Sequence, residues 1–243
     1  MRLFIEKIIR KIYSGYLYPY SKLSYSQNGE DIIIKDLFAK IGIQKPDYLD
    51  IGANEPFYIS NTYLFYSKGS KGVCIEPNPS LHKKFKRKRN RDICINAGIA
   101  FDEQLEADFY MFSEKANGLG TFSKEEAEFW EKTGNAVIGK HKIEAVIKTR
   151  LVRINEIMAE YFTTHPNFIS IDVEGLDLAI LKTIDFNRFQ PEVICAETIG
   201  YEDGNREVKN SDIAEFLKSK GYIIYADTHI NTIFCRADLF KAS

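Results

Sequence analysis

The stretch Tyr48-Leu49-Asp50-Ile51-Gly52-Ala53-Asn54-Glu55 decides the fold, together with a second stretch, Gly72-Val73-Cys74-Ile75-Glu76-Pro77-Asn78. Each contains a short apolar run that ends in an acid. This pattern predicts a buried parallel strand that brings a carboxylate to the carboxyl edge of a sheet. Because ligands bind at that edge in open α/β sheets, we expect Asp50 and Glu76 to lie at a common binding site.

The turn after the first run favours a nucleoside ligand that carries positive charge. Gly52 permits a tight turn, and a helix over residues 58–68 would direct its amino end at the same crevice. Glu76 then lies where a carboxylate accepts the two hydroxyls of a ribose. The turn lacks the G-x-G-x-x-G pattern of dinucleotide sites, and its acid suits a sulfonium or an amine, so it predicts S-adenosylmethionine rather than NAD. Two simpler interpretations stay open: Asp50 as a helix cap and Glu76 as the residue before a solvated turn.

Four motifs in the chain resemble those of the FkbM family of S-adenosylmethionine-dependent methyltransferases. They are S-Q-N-G-E-D at residues 26–31, Y-L-D-I-G-A-N at 48–54, C-I-E-P-N-P at 74–79 and F-I-S-I-D-V-E-G at 168–175. The second and third are typical of class I methyltransferases in general, whereas I-D-V-E-G is more particular to FkbM. The resemblance covers most of the chain, although the turn G-A-N-E-P-F is less rich in glycine than in many relatives. It implies an enzyme that methylates hydroxyls of sugars or natural products.

The organisation of the chain predicts one α/β domain over residues 1–243, since no linker interrupts it. Residues 1–24 form an N-terminal extension that opens with an amphipathic helix. Residues 101–153 break the alternation of strands and helices and predict a β-rich insertion over the active-site edge. We expect the class I methyltransferase (Rossmann-like) fold, a seven-stranded, mostly parallel sheet that ends in a C-terminal antiparallel hairpin.

Composition excludes some function classes. The chain has 33 basic and 34 acidic residues, a balance that argues against a general nucleic-acid binder. The four cysteines lie singly in apolar runs, as buried residues do in a reducing cytoplasm. The segment 1–12 is too charged for a signal peptide and too short to span a bilayer. We expect a cytoplasmic protein without a transmembrane segment or a nucleic-acid partner, and leave a homo-oligomer open.

The predicted cofactor site draws on several parts of the chain. The motif at residues 26–31 opens a helix with Ser26 as its cap, and the resemblance implies that residues before the first strand hold the amino-acid end of the cofactor. A third strand ends beside the adenine, where small residues leave room for a flat ring. The candidate cofactor-binding residues are Ser26, Gln27, Glu30, Asp50, Gly52, Asn54, Glu76, Asn96, Ala97 and Asp172.

Candidate catalytic residues lie where later strands end. A hydroxyl acceptor needs a base or a metal ion that lowers its pKa, and Asp172, Glu174 and His229 are the candidate bases. Asp172 and Glu197 could instead hold Mg²⁺ or Mn²⁺. The simpler alternatives are a helix cap for Asp172, a first-turn dipole partner for Glu174, an ion-pair partner for Glu197 and a surface turn for His229.

The acceptor is predicted to be a sugar hydroxyl on a surface-polysaccharide precursor, most simply a nucleotide-linked sugar. Acids, His and Asn at the carboxyl edge suit a polyhydroxylated ring. The insertion contributes Phe112, Phe122 and Trp130 for stacking, and the basic run at residues 82–91 is either a solvated helix face or an attractor for a diphosphate. The alternatives are a natural-product O-methyltransferase, a non-catalytic cofactor-binding module and an RNA-binding module.

Overall fold

A computed structural model describes residues 21–134, 139–202 and 206–240, so most of the predicted N-terminal extension lies outside the described residues. The strands are β1 (Tyr48–Ile51), β2 (Gly72–Ile75), β3 (Ile93–Ile95), β4 (Gly98–Ile99), β5 (Glu106–Phe112), β6 (Ile143–Val152), β7 (Phe168–Ile171), β8 (Val193–Glu197), β9 (Ile199–Glu202), β10 (Arg206–Lys209), β11 (Tyr222–Asp227) and β12 (Asn231–Arg236). The α-helices are α1 (Glu30–Lys40), α2 (Tyr63–Ser67), α3 (Pro79–Lys88), α4 (Lys124–Thr133), α5 (Ile154–Tyr161), α6 (Asp177–Thr183) and α7 (Ser211–Ser219).

The central sheet has seven strands in the order β11-β12-β8-β7-β1-β2-β3. Strands β3, β2, β1, β7 and β8 pair in parallel, whereas β12 is antiparallel to both β8 and β11. The predicted fold is therefore confirmed: a mostly parallel seven-stranded sheet that closes with an antiparallel hairpin. The carboxyl ends of β1, β2 and β7 meet at one edge, which we call the carboxyl edge.

Both faces of the sheet are covered at its central strands, which explains why β1, β2, β7 and β8 are predominantly apolar. Along β1, Tyr48 packs with α1, α2 and α3 on one face, and Leu49 and Ile51 pack with α5, α6 and α7 on the other. All four residues of β1 are buried. This alternation also determines which way each acid at a strand end can point.

The insertion forms a small β-structure with a core of its own. Strand β6 pairs antiparallel with β5 and parallel with β4. A 3₁₀ helix (Glu114–Leu119) and α4 connect β5 to β6 in the sequence. Phe112 and Trp130 are 3% and 2% exposed, because both belong to this core together with Ala116, Leu119 and Ala127. The prediction that these two rings stack on a sugar is therefore wrong, since neither can reach a ligand.

Two sequence expectations concern the surroundings of the fold. The four cysteines are free thiols, of which Cys74, Cys195 and Cys235 are buried and Cys94 is half-buried. In the described part of the chain, no helix combines the length and the apolar character needed to cross a membrane.

Candidate cofactor and methyl-transfer site

A cleft opens at the carboxyl edge, where predicted site residues from three strands meet. Its space, including the part open to solvent, is ≈ 640 Å³. Among the predicted residues, Gly52, Asn54, Glu76, Ala97, Asp172 and Glu174 line it. The insertion covers it with Phe109, Asn117, Gly118, Gly120 and Phe122.

The turn after β1 requires glycine at its first position. Gly52 has φ 75°, and a Cβ there would lie 1.8 Å from the backbone oxygen of Asp172. The amides of Gly52 and Ala53 both donate to the carbonyl of Ile75. Any side chain at position 52 would therefore separate β1 from β7 and deform the floor of the cleft.

Glu76 anchors the same turn from the neighbouring strand. One carboxylate oxygen accepts the amide of Asn54 and the other accepts the amide of Asn78, each at 2.7 Å. The side chain is buried, and burial raises the pKa of Glu76 to about 8. A carboxylate offers about four lone-pair positions, so two remain for the hydroxyls of a ribose. The ribose role stays a prediction, now with a geometry that permits it.

The predicted adenine end of the cleft is built from small residues and two rings. Asn96 donates through Nδ2 to the carbonyls of Glu76 and Pro77, at 2.9 and 2.8 Å, and so holds the turn after β2. A Cβ at Gly98 would lie 2.4 Å from the Phe122 ring, which therefore rests directly on this strand. Phe109 packs beside Phe122 with ring centroids 4.9 Å apart. The inward positions of β5 alternate in sequence, and this signal could have identified Phe109.

Asp50 does not line the cleft, contrary to the position expected for it. Its side chain lies on the same face of β1 as Tyr48, where it accepts the hydroxyl of Thr62 and lies 3.9 Å from the guanidinium of Arg89. Arg89 is 1% exposed and pairs with Asp92 at 2.7 Å. The acid is thus part of a buried charge network beneath the cofactor turn. In sequence, Arg89 looks like one more cation of a solvated basic run, so only its burial identifies it.

Two carboxylates that line the cleft interact electrostatically with three others, and the five are called here the carboxylate cluster. They are Glu126, Asp172, Glu174, Asp177 and Glu197, and the sequence did not single out Glu126 or Asp177. Burial, and then the charge of Asp50, raises the pKa of Asp172 to about 6. Burial, and then Asp172, raises the pKa of Asp177 to about 8 and lifts those of Glu174 and Glu197 well above their usual range. Acids that repel one another in this way are stabilised by a cationic ligand.

The predicted metal site at Asp172 and Glu197 is not found. Within the residues that the structure describes, no group of three or more His, Cys, Asp or Glu side chains could hold a metal ion. Asp172 and Glu197 instead hydrogen-bond to each other, which lowers the pKa of Asp172 against the effect of burial. This contact fits a pair of acids that shares a proton.

The motif at residues 26–31 joins the start of α1 to the C-terminal hairpin. Glu30 is fully buried and accepts the hydroxyl of Thr228 at 2.6 Å and Nδ2 of Asn231 at 3.2 Å. Burial opposes ionisation, but the Thr228 hydroxyl and the amides of Asn28 and Glu30 lower the pKa of Glu30. Helix α1 begins at Glu30 with Gly29 as its cap, so Ser26 is not the N-cap. Ser26, Gln27 and Glu30 do not line the cleft.

His229 lies in the turn between β11 and β12, away from the lining of the cleft. Its side chain is 68% exposed, and its Nε2 lies 2.7 Å from a carboxylate oxygen of Glu207. The backbone has φ 76°, a conformation typical of turns. The geometry therefore favours the alternative of a surface turn residue over a catalytic base.

The insertion is fastened to the rim of the cleft by Lys84. Its Nζ lies 2.7 Å from Glu55, directly after the cofactor turn, and 3.5 Å from Glu114 of the insertion. Asn117 Nδ2 donates to the same Glu55 oxygen at 3.3 Å, and Asn117 itself lines the cleft. This polar link holds the insertion closed over the ligand space.

Solved structures of other proteins share features of this fold. One solved structure with a similar fold is a TehB-like SAM-dependent methyltransferase from Corynebacterium glutamicum, at 10% identity and a TM-score of 0.42 over 97% of this chain and 100% of that one. Another is a putative caffeoyl-CoA O-methyltransferase from Staphylococcus aureus, at 13% identity and a TM-score of 0.45 over 94% and 90% of the two chains. No curated protein matches the sequence significantly.

The family is settled by the sequence itself. Residues 50–224 match the Methyltransferase FkbM domain, well over half of the chain. The matched segment begins within β1, directly before the cofactor turn, and ends in β11, so it includes the strand ends that form the cleft floor. The chain belongs to the FkbM methyltransferase family and is an S-adenosylmethionine-dependent methyltransferase.

Proposed function

We propose that the enzyme transfers the methyl group of S-adenosylmethionine to a hydroxyl of a sugar. The observation that carries the proposal is the polar lining of the cleft, where Asp172, Glu174 and Asn117 offer hydrogen-bond acceptors in addition to Glu76, which is assigned to the cofactor. A flat phenolic acceptor would favour an apolar slot, whereas a polyhydroxylated ring needs many acceptors.

The residues of the cleft fit the cofactor. Asn54 Oδ1 is buried and has no hydrogen-bond partner among the described residues, so a donor of the bound molecule can satisfy it. Glu76 would accept the ribose hydroxyls, and Ala97 and Phe122 would contact the adenine. The carboxylate cluster would face the positively charged methionine part, where opposite charges attract.

Asp172 is the candidate general base. When bound, the cofactor supplies a methyl group that is already activated by the positive sulfur. The protein has to orient the acceptor oxygen in line with that methyl group and remove its proton. Asp172 lines the cleft, and its pKa of about 6 lets it be ionised at neutral pH while it is more basic than an ordinary Asp. Glu174, which has φ 52° directly after β7, shares the cleft wall and supports the acceptor.

The acceptor would meet aromatic rings outside the insertion. Phe57 and Tyr58 are 47% and 64% exposed and follow the cofactor turn directly. They do not line the cleft, but they would stack on the less polar face of a pyranose that extends beyond it, a role that the buried Phe112 and Trp130 cannot perform. The basic run at residues 82–91 supports no preference for a nucleotide-linked sugar. Among the cations of this run, only Lys84 contacts the rim of the cleft.

The direct test is a screen for the release of S-adenosylhomocysteine. The purified enzyme is incubated with S-adenosylmethionine and, in turn, free glycans, nucleotide sugars, phenols and RNA. We expect turnover with a sugar, and its loss when the accepting hydroxyl is replaced by hydrogen. A preference for phenols would instead identify a natural-product O-methyltransferase, and methylation of RNA or of an amine would overturn the proposal.

A further inference from the structure

Helix α3 carries its basic residues away from the cleft. It begins after Asn78, whose side chain caps it by accepting the amide of Ser80 at 2.9 Å, close to Glu76 at the carboxyl edge. At 1.5 Å per residue, its far end lies about 15 Å away, where the chain enters the parallel strand β3. Lys86, Arg87 and Lys88 are exposed there, at the amino edge of the sheet.

Other loops bring more cations to the same edge. Lys45 precedes β1, Lys68 follows α2, Lys71 precedes β2 and Arg91 precedes β3, and all four are exposed. A Cβ at Gly69 would lie 3.7 Å from Lys45 Nζ, so these loops lie side by side. Arg91 stacks on the Tyr66 ring at 3.9 Å from its centroid. We call the exposed set the basic edge: Lys45, Lys68, Lys71, Lys86, Arg87, Lys88 and Arg91.

The charge of the basic edge is not neutralised by neighbouring acids. Within residues 21–134, 139–202 and 206–240, none of its seven members forms an ion pair of 4 Å or less. Asp92, next to Arg91 in sequence, pairs with the buried Arg89, and Asp47, two residues after Lys45, lies more than 4 Å from any of the seven cations. The chain as a whole has a net charge of −1, so this concentration of cations is local. Local charge of one sign attracts an extended surface of the other.

We propose that the basic edge docks the enzyme on an anionic phospholipid surface. Juxtaposed lysines bind anionic lipid headgroups through additive point charges. Single-stranded nucleic acid is the poorer match, because it binds on exposed aromatic rings, and the exposed large apolar residue beside this edge is the aliphatic Ile93, at 45%. The active-site cleft at the opposite edge then stays open to its acceptor. This inference does not rest on the proposed sugar substrate.

The test is co-sedimentation of the full chain with vesicles of phosphatidylcholine, with and without phosphatidylglycerol. We expect binding to the anionic vesicles only, and binding that weakens as salt is raised. The triple variant Lys68→Gln/Lys71→Gln/Lys88→Gln should bind on the order of tenfold to 100-fold more weakly.

The matched control is Lys124→Gln/Lys132→Gln/Lys218→Gln, which removes three exposed lysines elsewhere and should bind like the wild type. Both variants are checked for an unchanged melting temperature. Because the segment 1–12 is the same in all three proteins, a difference reports on the basic edge. Equal binding to neutral vesicles, equal loss in both variants, or tighter binding to RNA than to anionic vesicles would each overturn the proposal.

Discussion

Replacement of Glu76 by Ala tests the cofactor site and the turn at once. In the cleft the carboxylate would lose its charge-assisted hydrogen bonds to the ribose, worth about 1.5–3 kcal/mol. At 1.4 kcal/mol for each factor of ten, binding of S-adenosylhomocysteine should weaken by about 12- to 140-fold. In the folded protein the amides of Asn54 and Asn78 also lose their acceptor. Two unsatisfied buried amides should cost about 2–6 kcal/mol of the free energy of unfolding.

Calorimetry measures the affinity, and urea unfolding of the ligand-free protein measures the stability. The control is Asp50→Asn, a change at an equally buried acid one strand away that lies outside the cleft. It should lower the stability while leaving the dissociation constant within about threefold, since no ligand contact is lost. In the wild type, burial raises the pKa of Glu76 to about 8, so affinity should increase from pH 6 to pH 9 as the carboxylate ionises.

The reasoning is refuted if Glu76→Ala binds the cofactor as the wild type does, whatever its stability. It is also refuted if Asp50→Asn weakens binding as much as Glu76→Ala. In that case the cleft described here would not be the nucleoside site.

Four further predictions follow from the buried charges and the rim. Asp172→Asn should lower turnover on the order of 100-fold, a larger effect than the weaker cofactor binding expected from the loss of one charge of the carboxylate cluster. It should also abolish the fall in wild-type rate below about pH 6, and both effects are measured by the release of S-adenosylhomocysteine. Burial raises the folded-state pKa of Asp177 and of Glu76 to about 8, so the neutral form of each acid is favoured in the folded protein. The free energy of unfolding of the ligand-free enzyme should therefore fall from pH 5 to pH 8, because the folded protein loses these protons over that range. A rise of that free energy in urea titrations would contradict the prediction. Arg89→Met leaves buried carboxylates unpaired and should destabilise by about 3–5 kcal/mol; a loss under 1 kcal/mol would show that the network is dispensable. Lys84→Met should speed cofactor release up to about fivefold in stopped-flow measurements at low salt, and an equal effect at high salt would exclude an ionic link.

Local sequence determined the frame of the protein. The apolar runs that became β1, β2, β7 and β8 are recognisable because a strand buried on both faces must be apolar throughout. Gly52 and Glu76 were identified for the same local reason: a turn that comes within 1.8 Å of a neighbouring backbone admits only glycine, and an acid that ends a buried strand needs donors. Each of these features depends on residues near one another in the chain.

Tertiary structure decided which polar groups meet. Asp50 lies inside β1, opposite Cys74, and its side chain is held on the face of the sheet that carries Tyr48. Glu76 follows the last residue of β2 and reaches the cleft. Asp177 and Glu126 lie on helices and join the carboxylate cluster. The sequence pattern predicts where these helices run along the chain, but it does not predict which of their side chains face the other acids. Arg89 is buried among partners up to 41 residues away in sequence, while the cations beside it are exposed. Burial and long-range contact set the charge, the pKa and the role of these groups, and neither can be derived from the local order of residues.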